Sequence, residues 1–343
     1  MSKRIAMFNH KGGVSKTTSV YNIGWMLSKK AKVLIVDADP QCNLSALIFG
    51  DDFERYYLED TTKHQNIKDG VKAAFEGMPH PISAVNCYSP QRAPSLYLLA
   101  GHANLSEYDA ALTFAQTSNN AIATLQNLPG AFAQLLRLTE DRYSIDYTII
   151  DMNPSLSAIN QNLFISSHAF IVPTNPDPFS VMAIETLRTV LPRWVAWVKS
   201  SGSLFANSAY PLPDFLPKFI GSIIQRFNIR KGKAAKPYRD NITEIKSIIS
   251  GSFLESISKA AMVLGPAQYP QFLLDNQYCL DEIPDFQGLL PKAYDAGIPV
   301  FELTNVEIAE TGPVLEQMVL KRDGFFAQFA TLASTLVTIL NNV

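Results

Sequence analysis

The sequence predicts an α/β protein: a mostly parallel β-sheet with helices on both faces. Short, almost continuously apolar segments alternate with longer segments of helical periodicity. Residues 4–9 and 32–37 are two predicted strands, and residues 16–29 between them are predicted to be a helix. A strand, loop, helix and strand within about 35 residues form a βαβ unit, for which a right-handed crossover is expected.

The rest of the chain continues this alternation. Further strands are predicted at 96–100, 147–151, 169–173, 219–225 and 299–303. Further helices are predicted at 104–116, 130–139, 155–167, 180–198 and 323–340. Two stretches carry no recognisable pattern and are interpreted as insertions, at about 51–94 and 229–282. We therefore predict a single domain over residues 1–343, in which Pro192 is expected to bend its helix.

Composition narrows the class of protein. Hydrophobic residues make up 47% of the 343 residues and charged residues 17%, which is typical of a large buried core and argues against disorder. The net charge of −2 excludes the overall positive field of a constitutive nucleic-acid binder, although a local basic patch stays open. Cys42, Cys87 and Cys279 are widely spaced, which favours the reducing cytosol. With no secretory signal and no apolar run of about 20 residues, we expect a soluble cytoplasmic protein without a membrane partner.

The loop after the first strand has the composition of a phosphate-binding loop. Residues 10–18 read HKGGVSKTT and lie between a predicted strand and a predicted helix. Gly12 and Gly13 let backbone N–H groups converge on an anion, Lys16 supplies positive charge, and the Thr17 hydroxyl is the expected Mg²⁺ ligand. The residues predicted to bind nucleotide here are Lys11, Gly12, Gly13, Val14, Ser15, Lys16, Thr17 and Thr18.

This loop departs from the strict GxxxxGK[ST] motif, because His10 and Ser15 stand where that motif has glycines. With Lys11 before the glycines, it resembles the deviant Walker A loop of the ParA/MinD family of P-loop ATPases. The resemblance implies a P-loop NTPase fold, ATP and Mg²⁺ as ligands, and an ATP-dependent homodimer. It also implies that Lys11 reaches the phosphates bound to the partner subunit, which is the physics of an arginine finger supplied in trans.

Two more segments resemble motifs of the same family. Residues 37–43, DADPQCN, resemble its DxDPQxN segment, which implies that Asp39 activates the attacking water and contacts Mg²⁺ through water. Residues 147–151 resemble the Walker B strand, which implies that Asp151 holds Mg²⁺ through water. The resemblance thus makes Lys11, Lys16 and Asp39 the catalytic residues, and Thr17, Asp39 and Asp151 the metal site. Residues 297–302 resemble the family's closing strand.

Several alternatives stay open at the predicted site. If position 15 requires a positive φ, Ser15 costs of order 1 kcal/mol there, so a weakened ATPase that acts as a binding module competes with an active one. Asp39, taken alone, could simply cap the helix that begins near Asn43. Retention of both lysines and both aspartates favours an active ATPase.

The segment after residues 219–225 carries the densest basic cluster, which comprises Arg226, Arg230, Lys231, Lys233, Lys236 and Arg239. Three interpretations stay open: a solvated loop, a contact with nucleotide or with the dimer partner, and non-specific binding to DNA phosphates. The family carries polar residues here that flank adenine, so Gln225 and Asn228 are predicted base contacts.

The resemblance implies a function in plasmid or chromosome partition. In that scheme a slow ATPase binds DNA non-specifically as a dimer, associates with the nucleoid, and is stimulated by a ParB-type adaptor. The alternative is a positioning or regulatory switch that acts on a protein cargo without DNA. A metallocluster-assembly role is disfavoured because no cysteine pairs are placed for it.

Overall fold

The fold is built on one sheet of parallel strands. The computed structural model describes residues 2–118, 123–230 and 233–343. The strands are β1 Lys3–Met7, β2 Val33–Ala38, β3 Leu96–Leu99, β4 Tyr147–Met152, β5 Ala169–Thr174, β6 Lys218–Gln225, β7 Ile229–Arg230, β8 Lys233–Ala234 and β9 Cys279–Ile283. Seven of them form the sheet in the order β3-β2-β4-β1-β5-β6-β9, with all neighbours parallel. Strands β7 and β8 pair with each other as an antiparallel ribbon.

Helices connect the strands and cover both faces of the sheet. They are α1 Lys16–Ser28, α2 Asn43–Phe49, α3 Phe53–Leu58, α4 Ile67–Phe75, α5 Asp109–Thr117, α6 Leu128–Tyr143, α7 Ala158–Ile165, α8 Pro178–Ser201, α9 Lys236–Ile248, α10 Leu254–Lys259, α11 Gln271–Asp275, α12 Leu289–Ala296, α13 Asn305–Ile308 and α14 Gly312–Leu340.

The sheet separates two hydrophobic cores, and this explains the apolar runs of its strands. Along β2, Leu34 and Val36 belong to one core, whereas Val33 and Ile35 belong to the other. Both faces of a central parallel strand are buried, so its sequence reads as a continuous apolar run rather than an alternation. The predicted α/β class is therefore confirmed.

The prediction of the last strand was wrong. Residues 299–303 are not a strand: Val300–Glu302 is a 3₁₀ turn, and the resemblance of 297–302 to a closing strand does not hold. The edge strand is β9, which begins inside the stretch interpreted as an insertion at 229–282 and ends one residue beyond it. Its polar Asp281 and Glu282 are partly exposed at the sheet edge. They interrupt the apolar run by which the other strands were predicted. The apolar segment that was mistaken for a strand instead buries Val300, Phe301 and Leu303 in the second core.

Other predicted boundaries also differ from those of the structure. Helix α8 continues through Pro192 and extends to Ser201, and the last helix begins at Gly312 rather than at 323. Residues 51–94, interpreted as an irregular insertion with some helix, contain α3 and α4.

Helix α14 is long and apolar. Within the part of the chain that the structure describes, it is the one helix long and apolar enough to cross a membrane. Its most apolar 18-residue segment has a mean hydropathy of 1.3, and 44% of that segment is buried inside the protein. Its face with Phe329, Leu332 and Leu336 packs into the second core. This packing makes α14 part of the second core.

Candidate active site

A large cleft opens at the carboxyl ends of the strands. Its volume is about 780 Å³, and its walls include residues 13–18 of the loop between β1 and α1, together with Asp39 after β2. In parallel α/β sheets, ligands bind at this edge. The structure thus brings the predicted phosphate loop and the predicted catalytic carboxylate to one cleft.

The phosphate loop has two residues in left-handed backbone conformations. Gly13 has φ 71° and Ser15 has φ 58°. Glycine tolerates this region freely, whereas serine is strained there by of order 1 kcal/mol. Ser15 is also the residue that precedes the first turn of α1, where a loop that binds an anion must turn its N–H groups inward. Position 15 therefore does require a positive φ, which is the case in which Ser15 was expected to be strained.

Two asparagine side chains hold the loop in place. Asn9 is fully buried; its Oδ1 accepts from the Lys11 N–H at 3.0 Å, and its Nδ2 donates to the Pro173 carbonyl at 2.9 Å. Asn175 Nδ2, from the loop after β5, donates to the Gly13 carbonyl at 2.8 Å. The loop is thereby tied to the neighbouring strand β5 before any ligand binds, which reduces the entropy lost on binding.

Lys16 lies at the bottom of the cleft, with 7% of its surface exposed. Its ammonium donates to the Lys11 carbonyl at 3.2 Å. Burial lowers the pKa of Lys16, and the nearby Asp151 and Asp39 carboxylates oppose that effect. A buried ammonium without a full counter-charge gains most from an arriving polyanion.

Lys11 points in a different direction from Lys16. Its ammonium lies 2.5 Å from Asp177 Oδ2 and 3.1 Å from the Ser180 hydroxyl, both at the start of α8. Lys11 and Gly12 are not part of the cleft wall. The lysine that the resemblance assigns to a partner subunit's nucleotide therefore lies outside its own site in the single chain.

Two buried carboxylates lie side by side beneath the loop. Asp37 and Asp151 are register partners on β2 and β4, and each is at most 1% exposed. Burial, together with the charge of Asp37, raises the pKa of Asp151. The pKa of Asp37 is raised to about 6 by burial, although Ser45 donates to it from both its N–H and its hydroxyl.

The cleft fits ATP and magnesium. Within the described ranges neither carboxylate oxygen of Asp151 has a hydrogen-bond partner at normal geometry, although the Thr17 hydroxyl is close enough to lower its pKa. Unpartnered buried carboxylate oxygens beside a hydroxyl match the oxygen ligands that Mg²⁺ prefers. Asp39 lines the cleft, and its Oδ1 accepts from the Gln41 N–H at 2.9 Å. Thr17 and Asp151 are the residues that would hold the metal, and Asp39 lines the same cleft.

The predicted base contacts fall in different places. Gln225 lines the cleft, but its amide is engaged with the Ser19 hydroxyl and, at 3.5 Å, with the Ser15 carbonyl. Asn228 is exposed and is not part of the cleft wall. The wall at this end also includes Tyr21 and Tyr294.

The basic cluster is only partly described. Arg226, Lys236 and Arg239 are exposed. Lys231 lies outside the described residues, and only the backbone of Arg230 and Lys233 is described. The structure therefore leaves its DNA-binding interpretation as a prediction.

Residues 171–180 resemble the family's loop on the nucleotide side, but the sequence does not indicate which of them contact the phosphate loop. Asp177 pairs with Lys11, Asn175 holds Gly13, and Asn9 holds the loop from below. These contacts join segments more than 160 residues apart in two of the three cases. The resemblance thus located the loop that contains NPDP, whereas the individual contacts of Asn175 and Asp177 are seen only in the structure.

The fold and the site together define a P-loop nucleotide-binding protein. Residues 2–198 match the family model described as an AAA domain, AAA_31. The chain belongs to this family, and it is a P-loop ATPase of the ParA/MinD type.

Known proteins of similar sequence or structure agree with that assignment. The chromosome-partitioning ATPase Soj of Thermus thermophilus is 27% identical over 192 residues, which are 55% of this chain and 61% of that protein. The chain spans 51–62% of the length of the curated relatives it matches first. The structure of pNOB8 ParA bound to nonspecific DNA has a TM-score of 0.57 and 18% identity, covering 100% of this chain and 99% of that one. The ATP complex of Cyanothece McdA(D38A) has a TM-score of 0.55 and 19% identity, covering 93% and 96%.

Proposed function

We propose that this chain is an ATP-driven dimerisation switch that hydrolyses ATP slowly and uses the cycle to partition DNA. The convergence of Lys16, Thr17 and Asp39 on one cleft, above the unpartnered Asp151, carries the proposal. Mg²⁺, when bound, would neutralise phosphate charge and favour in-line displacement.

The chain's own residues suggest how hydrolysis proceeds. Backbone N–H groups of residues 13–18 and the Lys16 ammonium would bind the phosphates, and their charge would stabilise the transition state. Asp39 would orient a water molecule, whose oxygen bonds to the γ-phosphorus while the bond to the β,γ-bridging oxygen breaks. The products are ADP and inorganic phosphate.

Dimerisation would complete the site. In the single chain Lys11 is paired with Asp177 and lies outside its own cleft. An exposed apolar pair, Phe179 at 71% and Met182 at 66%, lies in the first turns of α8, just after Asp177. Burying that pair against a second copy would bring each Lys11 to the partner's phosphates. The contact between Lys11 and the partner's γ-phosphate would then exist only in the closed dimer. Hydrolysis of the γ-phosphate would remove this contact and allow the dimer to open.

We propose that the ATP-driven switch acts in the partition of DNA. Soj of Thermus thermophilus is a chromosome-partitioning ATPase, and pNOB8 ParA binds nonspecific DNA in its solved complex. By analogy we propose that the ATP-bound dimer binds DNA phosphates through its basic cluster, associates with the nucleoid, and is triggered by a ParB-type adaptor.

ATP turnover tests the enzymatic part of the proposal. Purified protein should release phosphate from ATP in the presence of Mg²⁺, at well below about one turnover per second without an adaptor. Lys16→Ala and Asp39→Ala should abolish release, whereas Lys63→Ala, an exposed lysine paired with Asp60, should not change it. Turnover that survives in Asp39→Ala would assign the water to another residue.

DNA binding separates partition from the alternative of a protein cargo. Random duplex DNA should bind only with ATP, and the affinity should fall steeply with salt because counterions are released. Replacing Arg230, Lys231 and Lys233 by Gln should weaken binding about uniformly across sequences. No binding, together with no effect of that replacement, would favour the protein-cargo switch.

A further inference from the structure

Arg226 is an exposed arginine at the end of β6, and its backbone is strained. It has φ 60°, a conformation that arginine adopts at a cost of order 1 kcal/mol and that glycine adopts freely. Its N–H donates to the Ile283 carbonyl at 3.1 Å, which links the ends of β6 and β9. This backbone contact would be made equally by glycine, so it does not account for the arginine side chain.

The guanidinium of Arg226 rests on the phosphate loop. It donates to the Gly13 carbonyl at 3.4 Å, a long and therefore weak hydrogen bond. That carbonyl already accepts a stronger bond, at 2.8 Å, from Asn175. The Gly13 carbonyl would thus remain satisfied if the guanidinium moved away.

Among the described residues, no carboxylate forms an ion pair with Arg226. It is nevertheless part of the cleft wall, which it shares with residues 13–18 of the phosphate loop. An arginine that has five donors, no counter-charge and a place in an anion-binding cleft is poised for a phosphate, which a guanidinium binds with two parallel hydrogen bonds.

The two lysines of the phosphate loop, unlike Arg226, already lie beside carboxylates in the single chain. Lys11 is paired with Asp177, and Lys16 is buried beside Asp151. Asp39 lines the same cleft, and Asp151 lies close enough to Lys16 to affect its pKa. A further positive charge in the cleft wall offsets the repulsion between these carboxylates and a triphosphate.

We propose that Arg226 is a nucleotide-binding residue whose guanidinium leaves the Gly13 carbonyl and binds the phosphate chain when nucleotide enters the cleft. The inference rests on the proposed ATP binding and adds a residue that the phosphate-loop motif does not contain. Its backbone strain is retained because the side chain binds ligand.

The test compares two glycine substitutions that relieve the same strain. Arg226→Gly removes the guanidinium as well as the strain. Gln277→Gly is the matched control, because Gln277 is exposed, has φ 54° and lies outside the cleft. Denaturant unfolding without nucleotide, and calorimetric titration with ATP, ADP and adenosine, are measured for both and for Arg226→Lys.

We expect both glycine variants to unfold at higher denaturant concentration than the unmodified protein. Arg226→Gly should bind ATP and ADP about tenfold more weakly, which corresponds to one charge-assisted hydrogen bond. Its affinity for adenosine should be unchanged, and Arg226→Lys should recover part of the loss. Gln277→Gly should bind all three ligands normally.

Two results would overturn the inference. Unchanged ATP affinity in Arg226→Gly would show that the guanidinium does not bind nucleotide. Equal losses for ATP and adenosine, together with a less stable fold, would show a purely structural role. An unmodified protein that binds no ATP would overturn the proposed function first, and this inference with it.

Discussion

The Lys11 ammonium and the Asp177 carboxylate form an ion pair, at 2.5 Å, within a single chain. Asp177 has a second task, because its Oδ1 accepts from the Ser180 N–H at 2.9 Å and caps α8. The pair thus joins the phosphate loop to the helix that carries the exposed Phe179 and Met182. If Lys11 serves the partner's nucleotide, dimerisation must break this pair.

Asp177→Asn should therefore favour the ATP-bound dimer. Asparagine keeps an oxygen for the helix cap but loses the charge that holds Lys11. Because the pair is partly exposed, its worth is limited to about 1 kcal/mol. Each dimer breaks two such pairs, one per chain, so the dimerisation midpoint, taken as the dissociation constant, should fall by up to about 30-fold. Sedimentation with ATP measures this shift. Glu185→Gln, which breaks a different ion pair on α8, is the control, and an unchanged midpoint in Asp177→Asn would show that the pair does not oppose dimerisation.

Ser15→Gly should stabilise the fold relative to Ser15→Ala. Both remove the hydroxyl, but only glycine relieves the positive φ of 58°. The expected difference in the free energy of unfolding is about 1 kcal/mol, as measured by denaturant titration without nucleotide. If the alanine variant is as stable as the glycine variant, the left-handed conformation at this position is incorrect.

Asp151→Asn should affect the free energy of unfolding and the binding of Mg²⁺ in opposite directions. Folding raises the pKa of Asp151, so the folded state binds the proton more tightly than the unfolded state. Its contribution to stability therefore falls as the pH rises from the unfolded pKa, near 4, through the raised folded pKa. Without nucleotide the variant should be at least as stable as the unmodified protein at pH 8, and the gap should close towards pH 5.

The same variant should lose the Mg²⁺-dependent part of its ATP affinity. Titrations with and without Mg²⁺ measure this directly. A variant that is less stable at pH 8, or that still responds to Mg²⁺, would show that the carboxylate is not held ready for a cation.

The sequence predicts those parts of the site whose residues are close together along the chain or lie at the ends of predicted strands. Residues 10–18 are contiguous, so their spacing alone indicates a phosphate loop. Asp39 and Asp151 follow apolar strands, and parallel strands bring such residues to one edge. Asp177 and Asn175 are different, because their role depends on how closely the loop after β5 approaches β1.

The strand β9 shows the limit of pattern reasoning for the fold. An edge strand is covered on fewer sides than a central one, so it tolerates residues such as Asp281 and Glu282. The segment at 299–303 is apolar because it fills the second core beneath α14, which requires burial but no strand pairing. Apolar composition predicts burial more reliably than it predicts backbone conformation.

Removal of Glu140 should destabilise the sheet far from the cleft. Arg4 makes two hydrogen bonds to Glu140, at 2.8 and 2.9 Å, and the Thr148 hydroxyl makes a third. Both charged side chains are nearly buried, at 7% and 5% exposed. Glu140→Ala leaves a buried guanidinium unpaired and should cost about 3 kcal/mol.

An exposed pair provides the comparison for Glu140. Glu59→Ala, which breaks the solvent-exposed pair with Arg55, should cost less than about 1 kcal/mol. Denaturant unfolding measures both variants. Similar costs for the two would contradict the burial of the Arg4 pair.

Calorimetric titration of the protein with ATP and Mg²⁺ tests the central claim most directly. We predict saturable binding of one nucleotide per chain, abolished in Lys16→Ala and weakened when Mg²⁺ is omitted. An absence of binding heat in the folded, unmodified protein at millimolar ATP would contradict the assignment of the cleft.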